Sequence, residues 1–420
     1  MTLRRKPRWT FLGLCLGLCV ATPAPSYAEP APLRIGLVAP LTGGSEDLGA
    51  STKFGAELAV QEINEAGGYL GRPLKLVERN DKSVPQVGEQ IAHELVDKEK
   101  VDFTIGYCNT GVALQAAKVF QASRSLLMIP CSQGTAVTRQ FAAADSYIFR
   151  NAPYDLLNAK FLVSEIVERR RLKKVAIFAD KTGYGEGGLK DVTAELAARG
   201  LQPAYVARFA PGVESLASEM EQAAQSGAQA IVVYAVGPDQ VTVLKGRRAA
   251  HVKLPLLSTW ALSARSVLEL GGPDLLEGTM MVQTVIYDIY NERRAGFLAK
   301  YFKMSNDRPI SSLMAAAQSY DAVYLMLAAL FQTHGDVSGP ALKAALETLP
   351  RPIEGVVTTY DHPFDATDHD AISQNMLWLG VWHGGEIRFY YPEDAKLSSV
   401  VRRKDHVGAP GEHAADAAQR

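Results

Sequence analysis

The chain has 420 residues, 47% of them hydrophobic and 21% charged, with 35 Gly, 22 Pro and a formal net charge of −1. That composition excludes a disordered, collagen-like or coiled-coil chain, and with no single-sign charge block it gives no footing for nucleic acid. One core rarely grows beyond about 250 to 300 residues, so the length predicts two lobes.

Residues 1–28 read as a targeting segment. Arg4, Arg5, Lys6 and Arg8 are basic, residues 11–21 are apolar, and Ser26-Tyr27-Ala28 puts small residues at both key positions of a cleavage site after Ala28. The apolar stretch is too short to cross about 30 Å of bilayer, and no later run approaches about 18 uninterrupted apolar residues. Cys15 and Cys19 follow Leu14 and Leu18 where lipidation needs a small residue, and Arg4-Arg5 lacks the rest of a twin-arginine context. Ordinary export is therefore expected, with a periplasmic destination. Cleavage would leave 40 basic against 45 acidic residues, a net of about −5, and two cysteines, Cys108 and Cys131.

Short β-rich runs then alternate with amphipathic helices, the pattern of a parallel sheet covered on both faces. Strand 33–38 precedes helix 51–66, whose Ala56, Ala59, Val60 and Ile63 recur at helical spacing. Strand 74–78, helix 85–98, strand 101–105, helix 112–122 and strand 126–129 follow. A second series begins at Asp155: helix 155–169, strand 174–179, helix 185–199, strand 204–209, helix 213–226, strand 230–234, helix 238–250 and strand 255–258. Strand 279–285, helices 292–302, 313–331 and 340–349, and strands near 355–360, 377–383 and 385–391 complete the fold. The end, from Arg403, is polar, Ala-rich and expected to be disordered.

In open parallel sheets a ligand sits beyond the carboxyl ends of the strands. There the sequence offers Ala39 to Ser45, then Gly106-Tyr107-Cys108-Asn109-Thr110-Gly111, then Pro130-Cys131-Ser132-Gln133-Gly134-Thr135. Hydroxyls, a side-chain amide and free backbone N–H groups at helix starts suit a small anion such as a carboxylate. Taken singly, Asn109, Thr110, Ser132 and Thr135 could be plain helix caps. Their recurrence at successive strand ends favours a site.

Gly183-Tyr184-Gly185-Glu186-Gly187-Gly188 is a literal G-x-G-x-x-G between a strand and a helix. Bulky Tyr184 within it, Arg208 rather than an acid on the next strand, and export all weigh against a dinucleotide. Glycines that let the loop turn while Tyr184 points into an interlobe cleft are the better reading. The loop 361–370 is rich in Asp and His but fits no calcium or zinc spacing, and is expected to be a solvated turn. G-x-S-x-G, H-E-x-x-H and Walker A motifs are missing, so no cofactor, metal or catalytic residue is expected. Trp260, just past a strand, is either core or a stacking platform. Cys108 and Cys131 follow strands expected to be neighbours. A disulfide worth about 3 kcal/mol is favoured over two free thiols lining the pocket.

Ile35-Gly36-Leu37, Pro40-Leu41-Thr42-Gly43, Gln61 to Gly68, Leu70-Gly71-Arg72-Pro73-Leu74 and Tyr184-Gly185-Glu186-Gly187 together resemble type I periplasmic solute-binding proteins of ABC importers, in the leucine/isoleucine/valine branch. The resemblance, over about residues 32–395, implies two doubly wound α/β lobes joined by three crossovers, near 149–152, 280–283 and 357–360, that close by hinge bending. Lobe I would comprise 29–150 and 281–357, lobe II 151–280 and 358–400, and 401–420 a flexible tail. It implies that Asn109 and Thr110, then Ser132 with Gln133 to Thr135, grip a ligand carboxylate while Tyr184 closes over it. Relatives that bind amino acids carry an acid in lobe II for the ligand's ammonium. Here that stretch is Ser258-Thr259-Trp260-Ala261, and a residue near Leu48 replaces a cleft aromatic. An unpaired ammonium in a closed cleft costs several kcal/mol, so an aromatic or other organic acid stacking on Trp260 is expected over a branched amino acid. The expected function is the solute-binding component of an importer, acting as a monomer that docks transiently on a membrane permease. A sensor for a membrane receptor and a secreted enzyme are the alternatives.

Overall fold

The computed structural model describes residues 2, 30–287, 291–306 and 308–405. Most of the expected targeting segment and the chain beyond 405 lie outside the described residues. Two sheets organise the rest. The first has the order β2-β1-β3-β4-β5, all parallel, from β1 (Leu33–Ala39), β2 (Leu74–Asn80), β3 (Phe103–Gly106), β4 (Leu127–Ile129) and β5 (Ile148–Arg150). The second uses β6 (Val175–Asp180), β7 (Tyr205–Phe209), β8 (Ala230–Tyr234), β9 (Leu256–Ser258) and β10 (Met280–Gln283). Beyond the small hairpin of β11 (Ile353–Glu354) and β12 (Thr359–Tyr360), β13 (Trp378–His383) and β14 (Glu386–Phe389) complete its order, β14-β13-β10-β9-β8-β6-β7. Only the β10–β13 and β13–β14 pairs of this sheet are antiparallel.

Central strands read as unbroken apolar runs because helices cover both faces of each sheet. Every residue of β6 and β8 is buried, and so are all but one of β1. One core cluster around Val38, Ile91, Val112 and Ile148 fills the outer face of the first sheet, and another around Phe178, Met220, Val233 and Val243 that of the second. The largest cluster joins the remaining faces. Through it runs helix Leu313–Gln332, long and apolar enough to cross a membrane yet 78% buried within its most apolar window. It packs on helix Glu46–Glu65 so closely that a Cβ on Gly55 would lie 2.1 Å from the Ala316 carbonyl.

Three boundaries differ from the sequence reading. β10 sits between β9 and β13, so residues 281–283 belong to the second lobe and the crossing follows them; an apolar run does not say which sheet it joins. Residues 358–373, expected in the second lobe, return to the first: the Arg150 N–H donates to the His369 carbonyl (2.9 Å) and the Ala371 N–H to that of Arg150 (2.8 Å). The tail is anchored through residue 405. Lys404 is buried, donates to the Pro363 carbonyl and pairs with Asp368, both at 2.9 Å.

Candidate functional site

The carboxyl ends of the two sheets face each other across a cleft of about 510 Å³. Ser45, Ser83, Asn109 and Thr110 line it from the first lobe, and Thr182, Tyr184, Pro211 and Asp239 from the second. Behind it lies a pocket of about 20 Å³ that shares Asn109, Thr110, Tyr184 and Val236 with the cleft and adds Leu48, Cys108, Cys131, Gln133 and Trp260. Five of the six residues singled out from the sequence thus come together. Ser132 does not line either space; its hydroxyl is fully buried, 3.5 Å from that of Thr110.

On the first-lobe wall, Tyr107 directly follows β3 at φ +64, a left-handed conformation that is strained for a bulky residue. It is held by its N–H on the Val38 carbonyl (2.8 Å), its carbonyl on the Ser132 N–H (3.2 Å) and its hydroxyl on the Gly88 carbonyl (3.3 Å). That turn aims Cys108-Asn109-Thr110 at the cleft. Asn109 stands at the N-cap of helix Thr110–Ser123 without capping it. Its amide instead donates to the Ser45 hydroxyl at 2.9 Å, leaving Oδ1 buried without a partner. Gln133 Nε2 and Trp260 Nε1 are likewise buried and unpartnered. A buried polar atom left so costs about 1–3 kcal/mol, and such atoms are rare in native proteins unless something fills the space beside them.

On the second-lobe wall the start of the helix that faces the cleft is satisfied from within the lobe. Thr182 caps helix Gly183–Ala197, its hydroxyl accepting from the N–H groups of Tyr184 and Gly185. Two of the glycines serve packing: a Cβ on Gly185 would meet the Asp180 carbonyl at 2.1 Å, and one on Gly188 the Tyr234 ring at 1.9 Å, whereas one on Gly187 would meet nothing. Tyr184 is only 8% exposed, its ring centroid 5.4 Å from that of Tyr234 and its hydroxyl bonded to that of Thr259. Burial, reinforced by nearby Asp155, pushes the Tyr184 hydroxyl well above the usual phenol range. Asp155 has both carboxylate oxygens buried and unpartnered; burial, then the charge of Asp191, raises it to about 8. The stretch 258–261 carries no acid, and the Ser258 hydroxyl is spent on the Val233 carbonyl and the Gln240 amide, both at 2.9 Å.

The lobes touch. Thr135 Oγ1 donates to Asp191 across the gap at 2.6 Å, and the Ser266 N–H to Asp47 at 2.8 Å. At Gly237, φ +56, a Cβ would lie 2.3 Å from the Gly44 carbonyl, so the approach requires glycine.

A residue that the sequence reading passed over holds the first-lobe loop in place. Arg150 is fully buried; its guanidinium pairs with Asp370 at 2.7 Å and donates to the Gly134 carbonyl and the Thr138 hydroxyl, each at 2.8 Å. The loop 361–370 is therefore not simply a solvated turn: His369 stacks on Phe149 at 3.8 Å between ring centroids, and both His369 and Asp370 are buried. An Arg closing the short apolar run Ile148-Phe149 was the local signal; its acid lies 220 residues further on. Cys108 and Cys131 are both buried free thiols, so the favoured disulfide is not formed in this structure; both belong to the largest core cluster and line the pocket. Among the described residues no group of three or more His, Cys, Asp or Glu could hold a metal ion.

The family model described as a periplasmic binding protein matches residues 32–386. A Leu/Ile/Val-binding protein homolog of Brucella suis is 24% identical over 319 residues, 74% of this chain and 83% of that one. Another, from Brucella melitensis, is 29% identical over 206 residues, 49% of this chain and about half (54%) of its own length. Among solved structures, a solute-binding protein of an R. palustris ABC transporter in complex with benzoate superposes with a TM-score of 0.74 at 22% identity, over 86% of this chain and 95% of that chain. A branched-chain amino acid transporter substrate-binding protein of Streptococcus pneumoniae in complex with isoleucine gives 0.73 at 20%, over 85% and 98%. With its two α/β sheets opposed across a cleft, the chain belongs to the type I periplasmic binding proteins, in their leucine/isoleucine/valine-binding branch.

Proposed function

We propose that this protein is the extracytoplasmic solute-binding component of an ABC importer, that it takes an organic acid without an amino group, aromatic acids foremost, and that it hands this cargo to a membrane permease. The observation that carries the reading is the set of unpartnered donors, Gln133 Nε2 and Trp260 Nε1, beside the uncapped helix start at Thr110. Two N–H groups and a helix dipole supply what a carboxylate accepts. A pocket of about 20 Å³ has room for little more than one water, so with the lobes shut it suits the acid's head group while its body lies toward the wider cleft and Tyr184. No acid lines that pocket among the described residues; Asp239 stands out in the wider cleft and Asp155 is buried near Tyr184. An ammonium there has no counter-charge. Similar structures in complex with benzoate and with isoleucine support a carboxylate ligand of either kind, and the lack of an acid in the inner pocket favours the first.

Thermal unfolding with benzoate, 4-hydroxybenzoate, keto acids, amides and branched amino acids tests this. A ligand at 100 times its Kd stabilises by about 2.7 kcal/mol, so the acids are expected to raise Tm clearly and the amino acids little. A shift with aliphatic amino acids alone would contradict the reading.

A further inference from the structure

We propose that Cys108 and Cys131 form a reversible disulfide in the wall of the pocket, and that this bond tightens the grip of the first lobe on its ligand. The second half rests on the binding role proposed above; the first does not.

β3 and β4 pair in parallel as Thr104 with Leu127 and Ile105 with Met128, and Cys108 and Cys131 each stand two residues past the end of their strand. Past the strand ends the two loops stay in contact, the Ser132 N–H reaching the Tyr107 carbonyl at 3.2 Å. Neighbouring strands run about 4.8 Å apart, inside the window of about 4.4–6.8 Å between Cα atoms that a disulfide spans. Both thiols are free, and both line the pocket with Asn109, Gln133 and Trp260. The Cys108 sulfur otherwise meets only a weak partner, the Thr52 hydroxyl at 3.3 Å.

Burial, with the Cys131 thiol beside it, pushes the Cys108 thiol well above its usual range. The thiolate is the attacking species, so exchange is slow while the cleft is shut and proceeds when it opens. With a small-molecule disulfide such as oxidised glutathione, one protein thiolate attacks a glutathione sulfur and releases one glutathione thiol. The second protein thiolate then attacks the mixed disulfide and releases the other. Two S–H bonds are lost and one S–S bond gained in the protein; the two electrons and two protons end on two glutathione thiols.

The new bond ties the loop of Asn109 and Thr110 to that of Gln133. A reduced protein must order both loops as it binds, whereas the oxidised one has them in register beforehand, which lowers the cost of binding.

The test uses the exported chain with oxidised or reduced glutathione, read by thiol alkylation, mass and calorimetric titration with benzoate. Two free thiols are expected after reduction and none after oxidation, with a Kd for benzoate about threefold to tenfold lower in the oxidised form. Cys131→Ser and Cys108→Ser should bind equally under both conditions, and saturating benzoate should slow oxidation. Two thiols persisting after refolding in oxidised glutathione would overturn the bond. An oxidised form binding no tighter than the reduced one would overturn the coupling. If benzoate binds neither form, the ligand assignment fails separately, and the bond is still judged by thiol count and by Tm, which oxidation should raise in the wild type and not in Cys131→Ser.

Discussion

Two helices begin on opposite walls of the cleft, and they treat their ends differently. Gly183–Ala197 in the second lobe is closed by Thr182, whose hydroxyl takes two of its N–H groups, and two of its glycines pack against Asp180 and Tyr234. Thr110–Ser123 in the first lobe starts with Asn109 turned away from the capping position and a buried Oδ1 left over, next to Gln133 of the same lobe with a donor left over; Trp260, reaching the pocket from the second lobe after β9, adds another. A helix end that satisfies itself offers little to a ligand, whereas one that leaves its dipole and its neighbours unsatisfied is poised for an anion. The first lobe should therefore hold the ligand, and the second should cover it with Tyr184.

The largest way to break that asymmetry is Arg150→Met. The change leaves the buried Asp370 charge with only the Thr138 hydroxyl and the more distant Arg139 beside it and frees the Gly134 carbonyl, so denaturant unfolding should show a loss of about 3–5 kcal/mol, accompanied by loss of the ligand-induced Tm shift. A loss below about 1 kcal/mol would show that the first-lobe loop does not depend on the pair. Next comes the carboxyl of Asp155, raised to about 8 in the fold against about 4 in the unfolded chain. Between those values the unfolded state gives up its proton first, so this group's stabilisation is full below about pH 4 and is lost as pH rises toward 8. Melting curves across that range should fall more steeply for the wild type than for Asp155→Asn, and equal slopes would count against it.

Gln133→Ala removes an orphaned donor from the unliganded protein and a ligand contact from the complex. Affinity for an organic acid should drop about 10- to 100-fold, in line with about 1–3 kcal/mol for a buried hydrogen bond, while the Tm of the unliganded protein holds or rises. Smallest is Thr182→Ala, which should cost about 1 kcal/mol of stability as a lost cap yet move Kd by less than about threefold. If the last two variants exchanged their effects, the comparison between the walls would be reversed.

Much of this was legible in the sequence because the relevant signals are local. β1, β6 and β8 are apolar runs whose burial is nearly complete, and the loops that follow β3 and β4 carry Asn109, Thr110 and Gln133 where a parallel sheet places its ligand. What escaped is non-local. Arg150 and Asp370 are 220 residues apart, and a loop of acids and histidines looks like a solvated turn until its buried partner is known. The strand Met280–Gln283 is apolar enough for either sheet, and only its register with Leu257 and Leu379 assigns it. The left-handed turn at Tyr107 and the empty valences of Gln133, Trp260 and Asp155 are properties of packed atoms, not of residue types.

The central claim is that the first lobe grips a carboxylate and that the inner pocket beside it has no acid for an ammonium. It is tested most directly by calorimetric titration with 3-phenylpropanoate and phenylalanine, and with 4-methylpentanoate and leucine, pairs that differ only in the amino group. The account predicts at least about tenfold tighter binding of the acid lacking the amino group in whichever pair binds, the weaker partner bearing a buried, unpaired charge. Tighter binding of phenylalanine or leucine would contradict it.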